Sequence, residues 1–347
     1  MSVKGGSRAP RVTVFIPTYN REAHIAAAVT SVLAQTFTDF ELLVIDDGSS
    51  DGTVAVVEAF HDSRIVIARH EQNQGIPRTR NHALELARGK YLANLDSDDL
   101  CHPRRLERQV AFLDAHPDHA VVGTWGRDVD AGGRRRLRVR REPLRAADVD
   151  VHLLFRCALR NRSVMLRTAV AREYGYDEAF TRCQDYELHA RMAVHHRLAN
   201  LPEVLVYARQ HEGRFTRATW ELGRERKLAI MAAELRALGL EPGDDDLARH
   251  YALWRVRHLE GGLDEDYLAW ARAWLEGIRA ANRAVGRYDP RALDAMVAAI
   301  WVKLCVEAVP RLGPRALAWL PRLAGWWRAP TALAAYRGRP EGRGHGA

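Results

Sequence analysis

Hydrophobic residues follow two different patterns along this chain, and the change falls near residue 216. Upstream of it, short runs rich in β-branched and aromatic residues stand at "RVTVFIP" (11–17), "FELLVID" (40–46), "RIVIA" (64–68), "YLANLD" (91–96) and "AVVGTW" (120–125). Each predicts a strand. Between them the apolar positions recur at helical spacing: in "EAHIAAAVTSVLAQ" (22–35), Ile25, Val29, Val32 and Leu33 share one face. "PRTRNHALELARG" (77–89) opens on Pro77 and closes on Gly89, a start and a stop signal. Strands alternating with helices predict an α/β domain with a mostly parallel sheet covered on both faces.

Downstream the pattern is helical only. In "TWELGRERKLAIMAAELRALGL", Leu228, Met231, Leu235 and Leu238 repeat at helical spacing. Eight of the nine tryptophans lie in this half, and most are expected to fill a helical core. The segment "GPRALAWLPRLAGWWRAP" (313–330) mixes Arg with Leu and Trp, so peripheral contact of these C-terminal helices with a membrane surface stays open beside a packing role. The tail "GRPEGRGHGA" is expected to be disordered. The predicted organisation is therefore an α/β domain over 1–215 and a helical accessory domain over 216–347.

Composition narrows the partners. The 347 residues are 47% hydrophobic and 28% charged, as in an ordinary globular protein, and the formal charge of +8 suits a partner that carries phosphate. Nucleic acid is not expected. The run from Arg134 to Arg145 carries seven arginines with no aromatic residue interleaved to stack bases. That run predicts a solvated hairpin or edge strand, and contact with an anionic acceptor or membrane surface is the sharper alternative. Four dispersed cysteines, without a C-x-x-C pair, suggest neither a zinc site nor a disulfide framework. With no signal-peptide pattern and no apolar stretch of about 18 residues, the expected location is the cytoplasm.

Polar segments sit at the ends of the predicted strands, where ligands bind in such sheets. They are "PTYN" (17–20), "DDGSSDGT" (46–53) and "DSDD" (96–99). Two carboxylates held roughly 4 Å apart repel by about 4 kcal/mol at protein-surface dielectric, and a bound cation would relieve "DSDD". Counted from Asp47, the second segment has the spacing of a calcium-binding EF-hand loop, but such a loop is entered from a helix and Asp47 follows a strand. It reads better as a strand-to-helix turn in which Gly48 and Gly52 permit tight geometry and Ser49, Ser50 or Asp51 caps the helix. Asp46 is expected to cap or pair locally, and Asp47 to accept from a nucleobase or ribose. Asp99 is expected to cap the helix of "HPRRLERQVAFL".

Taken in order, "VTVFIPTYNREAHIAAAVTSVLAQTFTDFELLVIDDGSSDGT", "NQGIPRTRNHALELARGKYLANLDSDDL" and "QDYELHARM" resemble the successive signatures of glycosyltransferase family 2, the inverting enzymes of GT-A fold. The likeness covers roughly 11–215. It implies a nucleotide-diphosphate-sugar donor with base and ribose near Pro17, Tyr19 and Asp47, and with Arg80 beside the nucleotide unless it lies on the surface of its helix. Asp96 and Asp98 would hold Mn²⁺ or Mg²⁺ bridging the donor diphosphate. Asp185 matches the catalytic base, although the preceding position, often acidic in relatives, is Gln184 here. His211 resembles a histidine that approaches the metal or diphosphate, and Cys183 is only a neighbour. The Q-x-x-R-W signature of processive synthases is absent. The expected activity is thus inverting, non-processive transfer to a glycan or lipid-linked glycan acceptor in cell-surface polysaccharide synthesis. The alternatives are a nucleotidyltransferase or a non-catalytic module binding sugar nucleotide or calcium.

Overall fold

The first three expected strands form as β1 (Val12–Thr18), β2 (Phe40–Asp46) and β3 (Ile65–Arg69), joined by α1 (Glu22–Leu33) and α2 (Thr53–Glu58). Every residue of β2 is buried, as in a strand covered on both faces, which is why "FELLVID" is a continuous apolar run and not an alternating one. α1 turns Ile25, Ala28, Val29 and Val32 into the core. The computed structural model describes residues 9–133, 136–210, 217–256, 259 and 262–328. His211 and the tail from 338 to 347 lie outside them.

α3 (Ile76–Leu86) opens at Pro77 as expected but stops short of Gly89. Gly89 instead lies against β1, where a Cβ would stand 2.4 Å from the Thr13 nitrogen. Its N–H donates to Thr13 Oγ1 at 2.9 Å. The chain must leave the helix early to make that approach, so this glycine serves close packing and not a helix end. β4 (Tyr91–Asn94) pairs parallel to β1 and ends where the acidic turn begins.

Next come β5 (Leu100–Cys101), α4 (Arg105–Ala115), β6 (His119–Val129), β7 (Arg136–Arg140) and α5 (Ala146–Leu153). β8 (Met165–Arg167), α6 (Thr168–Tyr174), α7 (Gln184–Ala193) and β9 (Arg197–Arg209) complete the sheet-forming part. The strand order is β3-β2-β1-β4-β8-β6-β9-β5, with β7 paired to β6. The half from β3 to β4 is parallel throughout. Beyond it the sheet is mixed, since β8 runs antiparallel to both β4 and β6 while β6 and β9 are parallel. Residues 136–140 of the arginine run form β7, with Arg136 and Arg138 exposed and Arg140 half-buried.

The chain divides into two compact units. One comprises residues 1–144 and 159–219, and the other 145–158 and 220–347. The second is helical: α5 joins α8 (Arg217–Ala237), α9 (Asp244–Trp254), α10 (Glu265–Val285) and α11 (Pro290–Leu312). Its core gathers Phe155, Leu235, Leu253, Leu275 and Trp301, with Trp254, Trp270, Trp274 and Trp326 packed against it. Trp220 and Trp327 are exposed. Among the described residues no helix is long and apolar enough to cross a membrane.

Candidate active site

The loops after β1 and β2 are stitched together. Asn20 N–H donates to Ser49 Oγ, Ser50 N–H to Asn20 Oδ1 and Gly52 N–H to Glu22 Oε2, at 2.8, 2.9 and 3.0 Å. Asp51 Oδ1 accepts from Thr53 N–H at 3.0 Å, but the N-cap of α2 is Gly52, so the side-chain cap expected from Ser49, Ser50 or Asp51 does not stand at the N-cap position. Asp46 pairs locally, accepting from Ser49 N–H at 3.1 Å and facing Arg69 at 3.3 Å, while its buried Oδ1 has no hydrogen-bond partner. The chain enters Asp47 from β2, a strand, which removes the EF-hand geometry.

Asp47 clasps the loop after β3. Its Oδ1 accepts from Gln74 N–H at 2.9 Å and meets His70 Nδ1 at 2.7 Å, and its Oδ2 accepts from Gly75 N–H at 2.9 Å. His70 Nε2 continues to His82 Nδ1 at 2.8 Å, and burial, then the neighbouring His70, pushes the His82 pKa below its ordinary value. Each carboxylate oxygen accepts about two hydrogen bonds, so one position on Oδ2 remains for a ligand. The exposed Tyr19 and half-buried Pro17 stand at the end of the neighbouring β1.

The acidic turn follows β4. Asp96, Asp98 and Asp99 each offer an oxygen, and these lie within 4.8 Å of one another. Asp99 does not cap α4. That helix starts at Arg105 with Arg104 as its N-cap and no side-chain cap. Asp99 is fully buried and accepts from Arg162 Nη1 at 2.7 Å and from Arg209 N–H at 3.0 Å. Burial opposes the charge on Arg162, but Asp99 and then Asp96, 3.8 Å away, outweigh it and hold the guanidinium pKa above its usual range. Clustered carboxylate oxygens of this kind are a donor set that could hold a hard divalent cation such as Mg²⁺ or Mn²⁺.

Asp185 lies in the first turn of α7, which is entered through Cys183 in the left-handed region at φ 60° and carries no side-chain cap. Leu188 and Met192 face the core, as expected. Around Asp185 stand two residues that the sequence did not single out. Tyr176 is buried, and its hydroxyl accepts from the Nδ2 of Asn94, the last residue of β4, at 3.3 Å. His189, one turn along α7, is fully buried with neither ring nitrogen hydrogen-bonded. Burial, reinforced by Arg80 and opposed by Asp185, brings the His189 pKa down to about 4.

Arg80 is buried and not on the helix surface, with its guanidinium carbon 5.5 Å from the Tyr176 ring centre and its Nε and Nη1 without partners. Tyr176 is tied to α3 by Asn81, which donates to its carbonyl at 2.9 Å and accepts from its N–H at 2.7 Å. The end of β4, Arg80 of α3 and the first turn of α7 are thus linked through Tyr176. His70, His82 and Tyr176 left no sequence signal, because their partners are distant along the chain, and His189 left none because burial alone marks it.

A parallel half-sheet with gathered loops after its first two strands and an acidic turn after β4 defines a GT-A type of α/β fold. Residues 13–172, a little under half of the chain, match the profile of glycosyl transferase family 2. The chain is 39% identical over 133 residues to the putative glycosyltransferase EpsE of Bacillus subtilis (strain 168), covering 38% of this chain and 48% of that protein. Over 102 residues it is 44% identical to the Escherichia coli UDP-Glc:alpha-D-GlcNAc-diphosphoundecaprenol beta-1,3-glucosyltransferase WfgD, covering 29% and 40%. The chain thus spans about half or less of these two relatives. Among solved structures, S. aureus TarS 1–349 in complex with UDP superposes with a TM-score of 0.54 over 87% of this chain and 92% of that one, at 21% identity, a likeness of fold.

Proposed function

We propose that the chain is an inverting, non-processive, divalent-metal-dependent glycosyltransferase that moves a sugar from a nucleotide-diphosphate donor to an acceptor hydroxyl. The observation that carries this reading is the acidic turn after β4, where Asp96, Asp98 and Asp99 bring carboxylate oxygens within 4.8 Å of one another. A cation held there would offset the charge of the donor diphosphate. Tyr19 and the remaining acceptor position of Asp47 serve the base and ribose, and Arg80 supplies positive charge beside the nucleotide. Asp185 takes the proton of the acceptor hydroxyl as the bond to the sugar forms, on the face opposite the leaving diphosphate, as single-displacement inversion requires. His211 belongs to the same proposal as a further metal-side group.

WfgD, by its name, transfers from UDP-Glc to a diphosphoundecaprenol-linked GlcNAc, and a lipid-linked glycan at the inner membrane face is the acceptor proposed here. The C-terminal helices, with Trp327 exposed, would make the peripheral contact. The test incubates the full chain with UDP-, GDP- and dTDP-hexoses and Mn²⁺. Slow release of free nucleoside diphosphate from one donor, lost in Asp185→Asn, is the expected result. Release of pyrophosphate would mean nucleotidyl transfer, and no turnover of any donor would leave a binding module.

A further inference from the structure

A cavity of about 220 Å³ opens beside the acidic turn, within the α/β unit. Four arginines line it: Arg127 from β6, Arg140 from β7, and Arg160 and Arg162 from the turn before β8. Among the described residues its only lining carboxylate is Asp128, and no aromatic side chain lines it. Three of the four guanidinium groups are fixed by buried carboxylates. Arg140 Nε meets Asp128 Oδ2 at 2.7 Å, Arg160 Nη2 meets Glu142 Oε1 at 2.7 Å, and Arg162 Nη1 meets Asp99 Oδ2 at 2.7 Å. Each guanidinium has five N–H donors in a rigid fork, and one carboxylate leaves several of them for another acceptor. The Nε of Arg160 is buried with no partner at all.

We propose that this cavity binds a phosphate group carried by the acceptor. Arginines held by buried carboxylates around one cavity match the non-bridging oxygens of a phosphate. The volume, equal to roughly seven liquid waters, suits a phosphate with its first linked atoms. Among the described residues no aromatic side chain lines the cavity to stack a nucleobase, which favours a phosphate as occupant. None of Pro17, Tyr19, Asp47 or Arg80 lines the cavity, whereas Arg162 does and also reaches Asp96 at 3.8 Å. The site is therefore separate from the donor's loops yet adjoins the place where the donor diphosphate would lie. The assignment of this anion to the acceptor rests on the glycosyltransferase reading, but the anion site itself does not.

The experiment titrates the full chain with n-butyl phosphate in the presence of EDTA, so that no divalent cation serves the acidic turn. Saturable binding is expected, weakened roughly ten-fold or more in Arg127→Gln and in Arg140→Gln, with melting temperatures showing that both variants fold. Cosedimentation with phosphatidylcholine vesicles with and without polyprenyl phosphate then separates the sources. Arginine-dependent pelleting with the phosphate-bearing vesicles alone identifies a lipid-borne group, and butyl phosphate binding without pelleting identifies a water-soluble one. No saturable binding, or equal binding by wild type and folded variants, overturns the proposal. If butyl phosphate binds but no nucleotide does, the cavity stands and the glycosyltransferase reading fails.

Discussion

Asp99 and Asp185 invert what an isolated aspartate near a helix suggests. Sequence alone makes each a plausible cap, yet neither α4 nor α7 has a side-chain cap. Asp99 is fully buried against Arg162 and the Arg209 N–H, and removing one member of a buried pair leaves the other charge uncompensated. Asp99→Ala is therefore expected to cost about 3–5 kcal/mol of unfolding free energy in denaturant titration, and a cost below about 1 kcal/mol would mean that the pair does not hold the turn. Asp185→Asn is expected to fold normally and to keep nucleoside diphosphate binding while losing roughly 10²–10⁴ of the transfer rate. Transfer at the wild-type rate would remove Asp185 from the base's role. The aspartates were legible as candidates because carboxylates at strand and helix ends are conspicuous. The histidines were not, since His70 meets Asp47 across 23 positions and His189 is defined only by what its ring lacks.

At the level of elements, the parallel strands were readable from their β-branched runs, but the contacts that place the loops were not. Gly48 shows why. At φ +79° it turns the loop after β2, and a Cβ there would stand 2.7–2.9 Å from backbone atoms of Gln72 and Asn73. The sequence marks it as a turn residue without saying that the loop after β3 lies on top of it. Gly48→Ala is expected to destabilise the chain by about 1–3 kcal/mol and to weaken nucleoside diphosphate binding, because the Asp47 clasp on Gln74 and Gly75 shifts with that loop. Unchanged binding in a calorimetric titration would show that the clasp does not shape the site. α5 was likewise invisible as part of the helical unit. Its eight residues buried at Val149, Val151, His152 and Leu153 are too few to display a helical period.

Over the whole molecule, buried neutral histidines set the response to acid. Burial holds His189 and His250 to about 4 and His152 well below its ordinary value. His250 is used on both sides, with Nε2 at 2.9 Å from the Leu154 carbonyl and Nδ1 accepting from Trp274 Nε1, which only the neutral ring can satisfy. The unfolded chain binds protons at these groups below about 6.5 while the folded chain does not, so their stability is full above that pH and lost as pH falls toward 4. Asp150 acts in the opposite sense. Burial raises it to about 6, so its ionisation penalises the fold as pH rises toward neutrality. At pH 5 His189 and His250 each cost about 2 kcal/mol and Asp150 returns about 1. Unfolding followed by circular dichroism should show lower stability at pH 5 than at pH 7.5, and a flat profile would contradict the burial of these rings. The account as a whole depends on the acidic turn gripping a cation that carries a diphosphate. Calorimetric titration of wild type and Asp98→Ala with UDP, GDP and dTDP, each with and without Mn²⁺, tests this most directly. One nucleotide should bind wild type only with Mn²⁺ and bind the variant roughly ten-fold or more weakly. Equal affinity without the metal, or in the variant, would contradict it.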